Sequence, residues 1–306
     1  MAAITACVWL AQPNEELPTI RFAYQNHIGS AVCIVAIELN LFREDRVAVA
    51  GLPCNSGPAC AEALLSGSAD LGTMGDTTAI ISASRSGPYR ILVSHGKGEH
   101  RHHVMAAADA AIRSASDLPG RTLAVKKGTS TYGGLLAWLA ASGIQPAELR
   151  ILDMGPTEMP DALAAGSIDA FAASEPTPSV AETRGAREVV MLGGLGNAYP
   201  VLVLAHTRVL QSRPDEIRAV LRALQRAVEF IEEEPERAAR IVAEGTGLSE
   251  QVVQPATQRH VYRLAWDESI VQSLQATARF LEEQQIIREL PGWDQACDDR
   301  FLPVPP

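Results

Sequence analysis

Four histidines, His95, His100, His102 and His103, crowd into the run SHGKGEHRHH (94–103) beside Lys97 and Arg101. Neutral imidazoles suit zinc, copper or nickel, whereas the two cations would instead bring positive potential to an anion. The run lacks the i, i+4 geometry of helical zinc sites, so it reads as a polar loop. A metal site is one alternative, and a cation handed to a ligand pocket is another. A second group of residues is short and rich in donors: Gln25, Asn26 and His27; Ser56 and Gly57; Asp76 and Thr77; Thr129, Ser130 and Thr131; and Glu175. Hydroxyls, amides and free helix N–H groups bind anions, and glycine lets a ligand approach the backbone. The same residue types are ordinary helix N-caps, so one such loop alone implies no ligand.

The elements that carry these loops repeat. GPACAEALLSGSADLGTMGDTTAI (57–80) lies under GPTEMPDALAAGSIDAFAASEPTPSV (155–180). Gly57-Pro58 falls on Gly155-Pro156, Gly67 on Gly166 and Asp70 on Asp169, an offset of about 99 residues that is too long for a solenoid. Upstream, IRFAYQ (20–25) falls on TLAVKK (122–127). Each reads as a strand followed by a turn and a helix, with Val32, Val35, Ala36 and Leu39 at helical spacing in one copy and Leu135, Leu136 and Leu139 in the other.

The fold class expected is therefore α/β, as two similar α/β lobes with parallel strands and a ligand cleft between them. PVLVLA (200–205) reads as one further strand. Beyond it only helices are expected, with apolar stripes at Ile217, Val220, Leu221, Leu224, Val228 and Ile231, and at Ile270, Leu274, Ala278 and Leu281. Ligands of such sheets bind outside the carboxyl ends of the strands, where each loop above presents a helix start, with Pro58 and Pro176 in the first turns. Five such loops at one edge predict a binding crevice.

Length and charge narrow the partners. A chain of 306 residues is large enough for two lobes, and a net charge of −10 argues against nucleic acid as a partner. No run approaches the ~20 apolar residues of a spanning helix. The start, MAAITACVWLAQ, lacks the basic region of a secretory signal, and Ile4-Thr5-Ala6-Cys7 resembles a lipoprotein cleavage box with too little ahead of it. Cysteines at 7, 33, 54, 60 and 297 contain no Cys-x-x-Cys pair, so neither a zinc site nor a disulfide framework is indicated. Pairing of Cys54 with Cys60 stays open on spacing alone.

In FAYQNHIGS, GPACAEALLSGSADLGTMGDTTA, LPGRTLAVKKGTSTYGG and ALAAGSIDAFAASEPTPSVAE, over residues 18–290, the chain resembles periplasmic solute-binding proteins of the nitrate, sulfonate and taurine type. The resemblance implies a type II periplasmic-binding-protein fold with extra C-terminal helices. One lobe would take residues 18–103 and 201–300 and the other 104–200, leaving 1–17 as a leader remnant. The hinge would cross near 103–107 and 198–202. It further implies a monomer without cofactor that captures a small organic anion or a zwitterion, the latter held by Asp76 and Glu175. It would hand the solute to an ABC permease and its ATPase on the periplasmic side, membrane-anchored or free. A cytoplasmic location stays open because the leader is unclear.

Two enzyme branches resemble the same family. An aromatic desulfinase uses a cysteine in the first loop, where this chain has His27, and Cys33 lies two turns further on a helix that buries Val32 and Val35. A pyrimidine synthase needs a cysteine-rich segment, absent here, and a pyridoxal-bearing lysine, for which only Lys126 and Lys127 stand near a lobe edge. A desulfinase-like or pyrimidine-synthesis-like enzyme, or a cytoplasmic sensor, is therefore the alternative to a binding protein. The turn Ala173-Ser174-Glu175-Pro176-Thr177 replaces the aromatic residue of many relatives and predicts a smaller, more polar wall.

Overall fold

The repeat builds two sheets. In the computed structural model, which describes residues 17–301, the first sheet contains β1 (Thr19–Gln25), β2 (Ala48–Cys54), β3 (Leu71–Gly75), β4 (Tyr89–Lys97), β10 (Val201–His206) and β11 (Val261–Ala265), in the order β11-β4-β10-β3-β1-β2. The second contains β5 (His102–Ala107), β6 (Thr122–Val125), β7 (Arg150–Asp153), β8 (Ala170–Ser174) and β9 (Ala186–Met191), in the order β7-β6-β8-β5-β9. The Ile4–Cys7 box and the rest of the suggested leader lie outside the described residues, apart from residue 17.

Within each repeat the strands are parallel as expected: β1 pairs with β2 and β3, and β6 with β7 and β8. Parallel pairing throughout is corrected. β10 runs antiparallel to β3 and β4, and β5 antiparallel to β8 and β9. Each is the first strand after the chain changes sheets. With no crossover helix to return the chain to the starting edge, it enters from the shared edge and runs backwards. The crossings are residues 98–101 and 192–200, so the first lies ahead of the expected 103–107. A second correction is β11, a short VYRLA strand inside the helical C-terminal third.

Helices cover both faces of each sheet. On the first, α1 (Ala31–Glu38), α8 (Pro214–Glu233) and α9 (Pro235–Thr246) pack Val32, Val35, Val220, Leu224 and Val242 against Ile20 and Phe22. On its other face, α2 (Gly57–Leu65), α3 (Asp76–Ser84) and α11 (Glu268–Glu283) bury Leu64, Ile80, Leu274 and Leu281. Around the second sheet, α4 (Ser130–Ala141) supplies Leu135 and Leu139 to one face, and α5 (Met159–Ala164) supplies Met159 and Leu163 to the other, where α6 (Thr177–Glu182) adds Ala181. Shorter segments, α7 (Thr207–Ser212), α10 (Glu250–Gln258) and α12 (Trp293–Ala296), complete the C-terminal part. No described helix is long and apolar enough to cross a membrane.

The repeated aspartates have a structural explanation. Asp70 accepts the Arg21 N–H at 3.0 Å, and its counterpart Asp169 accepts the Thr122 N–H at 2.7 Å, so each fastens the first strand of its own repeat, β1 or β6. The repeated glycines Gly67 and Gly166 both sit in the left-handed region, φ 72° and 68°, where a side chain would strain the turn.

Candidate functional site

The carboxyl ends of both sheets face one cleft, which encloses a cavity of about 430 Å³, within the range that holds small ligands. The lobes meet at its edge, where Thr78 Oγ1 donates to the Gly128 carbonyl at 2.7 Å. Gly75 permits this approach, because a Cβ there would fall 2.1 Å from Ser130 Oγ.

From the first lobe, Gln25, Asn26 and His27 after β1, and Ser56 and Gly57 at the start of α2, border the cavity. His27 Nδ1 accepts the Gly29 N–H at 2.9 Å, which places the ring proton on Nε2. Burial, with the nearby Arg101 charge, pushes its pKa down to about 3, so His27 is a neutral donor. Ser56 Oγ is bonded to Asn55 Oδ1 at 3.3 Å. Asp76 and Thr77 are buried beneath the surface, and the next residue, Thr78, reaches the cavity instead. Asp76 Oδ1 accepts the Thr77 N–H at 2.6 Å. Burial raises its pKa against the pull of Ser130, Thr77, Asn197 and Arg101.

In the second lobe, Thr129, Ser130, Thr131 and Glu175 all border the cavity. Thr129 is the N-cap of α4. Its hydroxyl donates to the Lys126 carbonyl at 2.7 Å and accepts the Tyr132 N–H at 3.3 Å, so it is already committed. The N–H groups of Ser130 and Thr131, in the first turn, lack a helical carbonyl partner. Thr131 Oγ1 bonds His102 Nδ1 at 2.9 Å, and Ser130 Oγ, although beside Asp76, has no well-formed partner. Glu175, expected at the rim, is fully buried and ion-paired with Arg259. Pro176 is the N-cap residue of α6, and Pro178 occupies the first turn.

The histidine-rich run is not the polar loop expected. His95 in β4, Arg101 in the crossing, and His102 and His103 in β5 are all buried, and only His100 is widely exposed. Successive residues of β5 face opposite ways: His102 turns to Thr131 and Tyr199, and His103 turns to Glu188, 2.8 Å from its Nδ1. Among the described residues, no three His, Cys, Asp or Glu side chains are grouped to hold a metal.

Arg101 is the cation that reaches the cavity. Its guanidinium donates to the Tyr199 carbonyl at 2.8 Å and lies 3.5 Å from Ser174 Oγ, while Nε has no partner. It forms no ion pair within 4.0 Å among the described residues. Burial lowers its pKa to about 10, so it carries full charge at neutral pH. Lys126 also borders the cavity but pairs with Asp153 at 3.3 Å. The cleft thus presents one buried positive charge that borders the cavity without a paired carboxylate, with Asp76 behind it, ringed by neutral imidazoles, hydroxyls and helix N–H groups. Such a receptor holds an anion.

The thiols differ: Cys33 is closed to nucleophilic work, whereas Cys54, whose pKa is lowered by a hydrogen bond with Cys60, faces the cavity. Cys33 is wholly buried in α1, and burial pushes its thiol pKa up. Cys54 borders the cavity but its sulfur donates to the Leu52 carbonyl at 3.5 Å, and both it and Cys60 are free thiols.

The chain is similar to several known proteins. A protein of Bacillus subtilis (strain 168) named an aliphatic sulfonates-binding protein is 23% identical over 295 residues, 94% of this chain and 88% of that one. The alkanesulfonate-binding protein SsuA from Xanthomonas axonopodis pv. citri, solved bound to MOPS, superposes with a TM-score of 0.83 at 24% identity, over 90% of this chain and 97% of that one. The desulfurization enzyme DSZB shares the fold more distantly, with a TM-score of 0.71 at 17% identity over 92% and 97% of the two chains. Residues 26–238, which carry all the cavity-bordering residues except Gln25, Thr246 and Leu248, match the family model described as NMT1/THI5 like, and the chain belongs to that family.

Proposed function

We propose that this protein is the substrate-binding component of an ABC importer, capturing a small organic anion of the sulfonate type between its lobes. It works as a monomer on the periplasmic side and delivers the solute to a permease driven by an ATPase. The observation that carries this reading is the buried guanidinium of Arg101, which faces the cavity with no carboxylate partner. The relatives named for sulfonate binding support the same ligand class. Glu175 is occupied by Arg259 and Asp76 lies beneath the surface, which favours a simple anion over a zwitterion. A desulfinase reading is disfavoured because the first loop carries His27, whose Nδ1 is already bonded.

A thermal-shift panel of alkanesulfonates, taurine, carboxylates, nitrate and pyrimidines tests the reading. At 100 times its dissociation constant, the cognate anion stabilises the fold by about 2.7 kcal/mol, worth several degrees at this size. A best ligand that is cationic or uncharged would sink it. Thr129→Asp should remove most of that shift, because it adds a negative charge at the cavity wall. The unliganded melting point should hold, since aspartate is itself a good N-cap. Retention of the full shift would exclude this turn from the anion site.

The chain passes between the lobes only at residues 98–101 and 192–200, and the contact of Thr78 with Gly128 lies at the cleft edge. Saturating alkanesulfonate should therefore reduce the radius of gyration in small-angle scattering. An unchanged profile at saturation counts against closure.

A further inference from the structure

Glu175 poses an electrostatic problem for the reading above, on which this inference rests. A buried carboxylate that borders an anion's cavity should repel the ligand. Its charge is answered from the other lobe. Glu175 follows β8 of the second sheet, whereas Arg259 stands between α10 and β11, the latter a strand of the first sheet. The guanidinium of Arg259 pairs with Glu175 Oε1 between the lobes, beside the first crossing, where the Arg259 carbonyl lies close to Gly98, and Arg259 itself does not border the cavity. Within the second lobe Glu175 has weaker company: the Ser179 N–H at 3.4 Å, and His103 Nε2 at 3.8 Å, whose Nδ1 is already held by Glu188.

We propose that Arg259 is a positioning residue that neutralises Glu175 only while the lobes are closed, making anion affinity depend on closure through charge. In the closed protein Glu175 is cancelled by Arg259 and Lys126 by Asp153, which leaves Arg101, with Asp76 behind it, as the unpaired charge bordering the cavity. When the lobes part, Arg259 withdraws with the first lobe and Glu175 stays with the second. The Glu175 N–H bonds the Arg101 carbonyl at 2.8 Å, so this carboxylate remains anchored beside the anion receptor. The open cleft then holds one positive and one negative charge and loses its net attraction for the anion. Opening thus helps to expel the solute as well as exposing it.

The test is a double-mutant cycle read by calorimetric titration with pentanesulfonate, using Arg259→Gln, Glu175→Gln and the double variant. Arg259→Gln should weaken binding at least about tenfold, since it leaves a buried carboxylate unanswered in the cleft. Glu175→Gln should bind at least as tightly as the parent. The double variant should return to within about threefold of the parent, and Arg259→Lys, which keeps the charge, should lose only a few-fold. Unchanged affinity in Arg259→Gln, or a double variant as weak as Arg259→Gln, overturns the coupling. Should the parent fail to bind any anion, the proposed function fails, and the pairing is judged on unliganded protein. There Arg259→Gln, which leaves Glu175 unanswered in the closed form, should favour the open form and show a larger radius of gyration in small-angle scattering than the double variant, and equal radii would overturn it.

Discussion

Arg101→Met should abolish measurable sulfonate binding while leaving the unliganded protein at least as stable as the parent. Among the described residues the guanidinium is the one charge bordering the cavity without an ion-pair partner, although Asp76 lies behind it, and Tyr199 O is its strongest hydrogen-bond acceptor. Removing the charged partner of a buried anion typically costs 2–5 kcal/mol, roughly 30-fold to several-thousand-fold in affinity. Stability should move the other way, because burial disfavours the charged form and lowers its pKa to about 10. Methionine fills similar space without that desolvation. Arg101→Lys should not rescue binding, since an ammonium lacks the planar fork that spans Tyr199 O, Ser174 and the cavity. Calorimetry and thermal melting of the same preparations separate the two effects. A sulfonate-induced shift that survives in Arg101→Met would remove the receptor from the model of function, whatever the melting point does.

Arg101 also marks the limit of what local sequence could tell. The strands of each repeat, the apolar stripes of α8 and α11 and the loops at the cleft are legible because they follow from short-range periodicity and turn chemistry. Asp70 and Asp169 were legible as a repeat, yet their role in fastening β1 and β6 needs the pairing itself. SHGKGEHRHH reads as solvent-facing because it has almost no apolar residues. It is buried by the meeting of two lobes, with Tyr199 and Ser174 arriving from 98 and 73 residues away. Arg259 is 84 residues from Glu175, and no spacing rule links them. Asp76 and Thr77 missed the cavity for a finer reason: at a helix start each residue turns by about 100°, so Thr78 borders the cavity while Asp76 and Thr77 turn towards Ser130 and Gly133 of the other lobe. β11 escaped notice because five residues between helices carry too short an alternation to distinguish from a loop.

The same crowding predicts an unusual sensitivity to mild acid. His95, His102 and His260 are almost wholly buried, and burial, reinforced by the Arg101 charge, holds all three imidazoles neutral; His95 is pushed down to about 3. In the unfolded chain each titrates near 6.5. Their folded pKa values lie below the unfolded one, so stability is full above about pH 6.5 and falls as pH drops below it. Each group then costs up to about 1.4 kcal/mol per pH unit, and three together approach about 4 kcal/mol per unit. Against a typical total of 5–15 kcal/mol, a fall from pH 6.5 to 5 removes a large share of the stability. Asp76 opposes this, because burial raises its pKa and its protonation relieves a cost, but it is one group against these three and His27, which burial also holds low. The carboxylates of Asp45 and Asp70, held low in the folded state with arginine partners, lose their contribution only at more acid pH. Urea denaturation at pH 7.5 and pH 5.0 should therefore show a steep loss across the histidine window. His95→Phe is the decisive variant, since neither ring nitrogen of His95 has a hydrogen-bond partner to lose. It should keep its stability at pH 7.5 and reduce the acid slope by about 1.4 kcal/mol per pH unit. A parent curve that is flat between pH 7.5 and 5.0, or a His95→Phe slope equal to the parent's, would mean that these imidazoles are hydrated in solution and that the chamber around Arg101 is open to water.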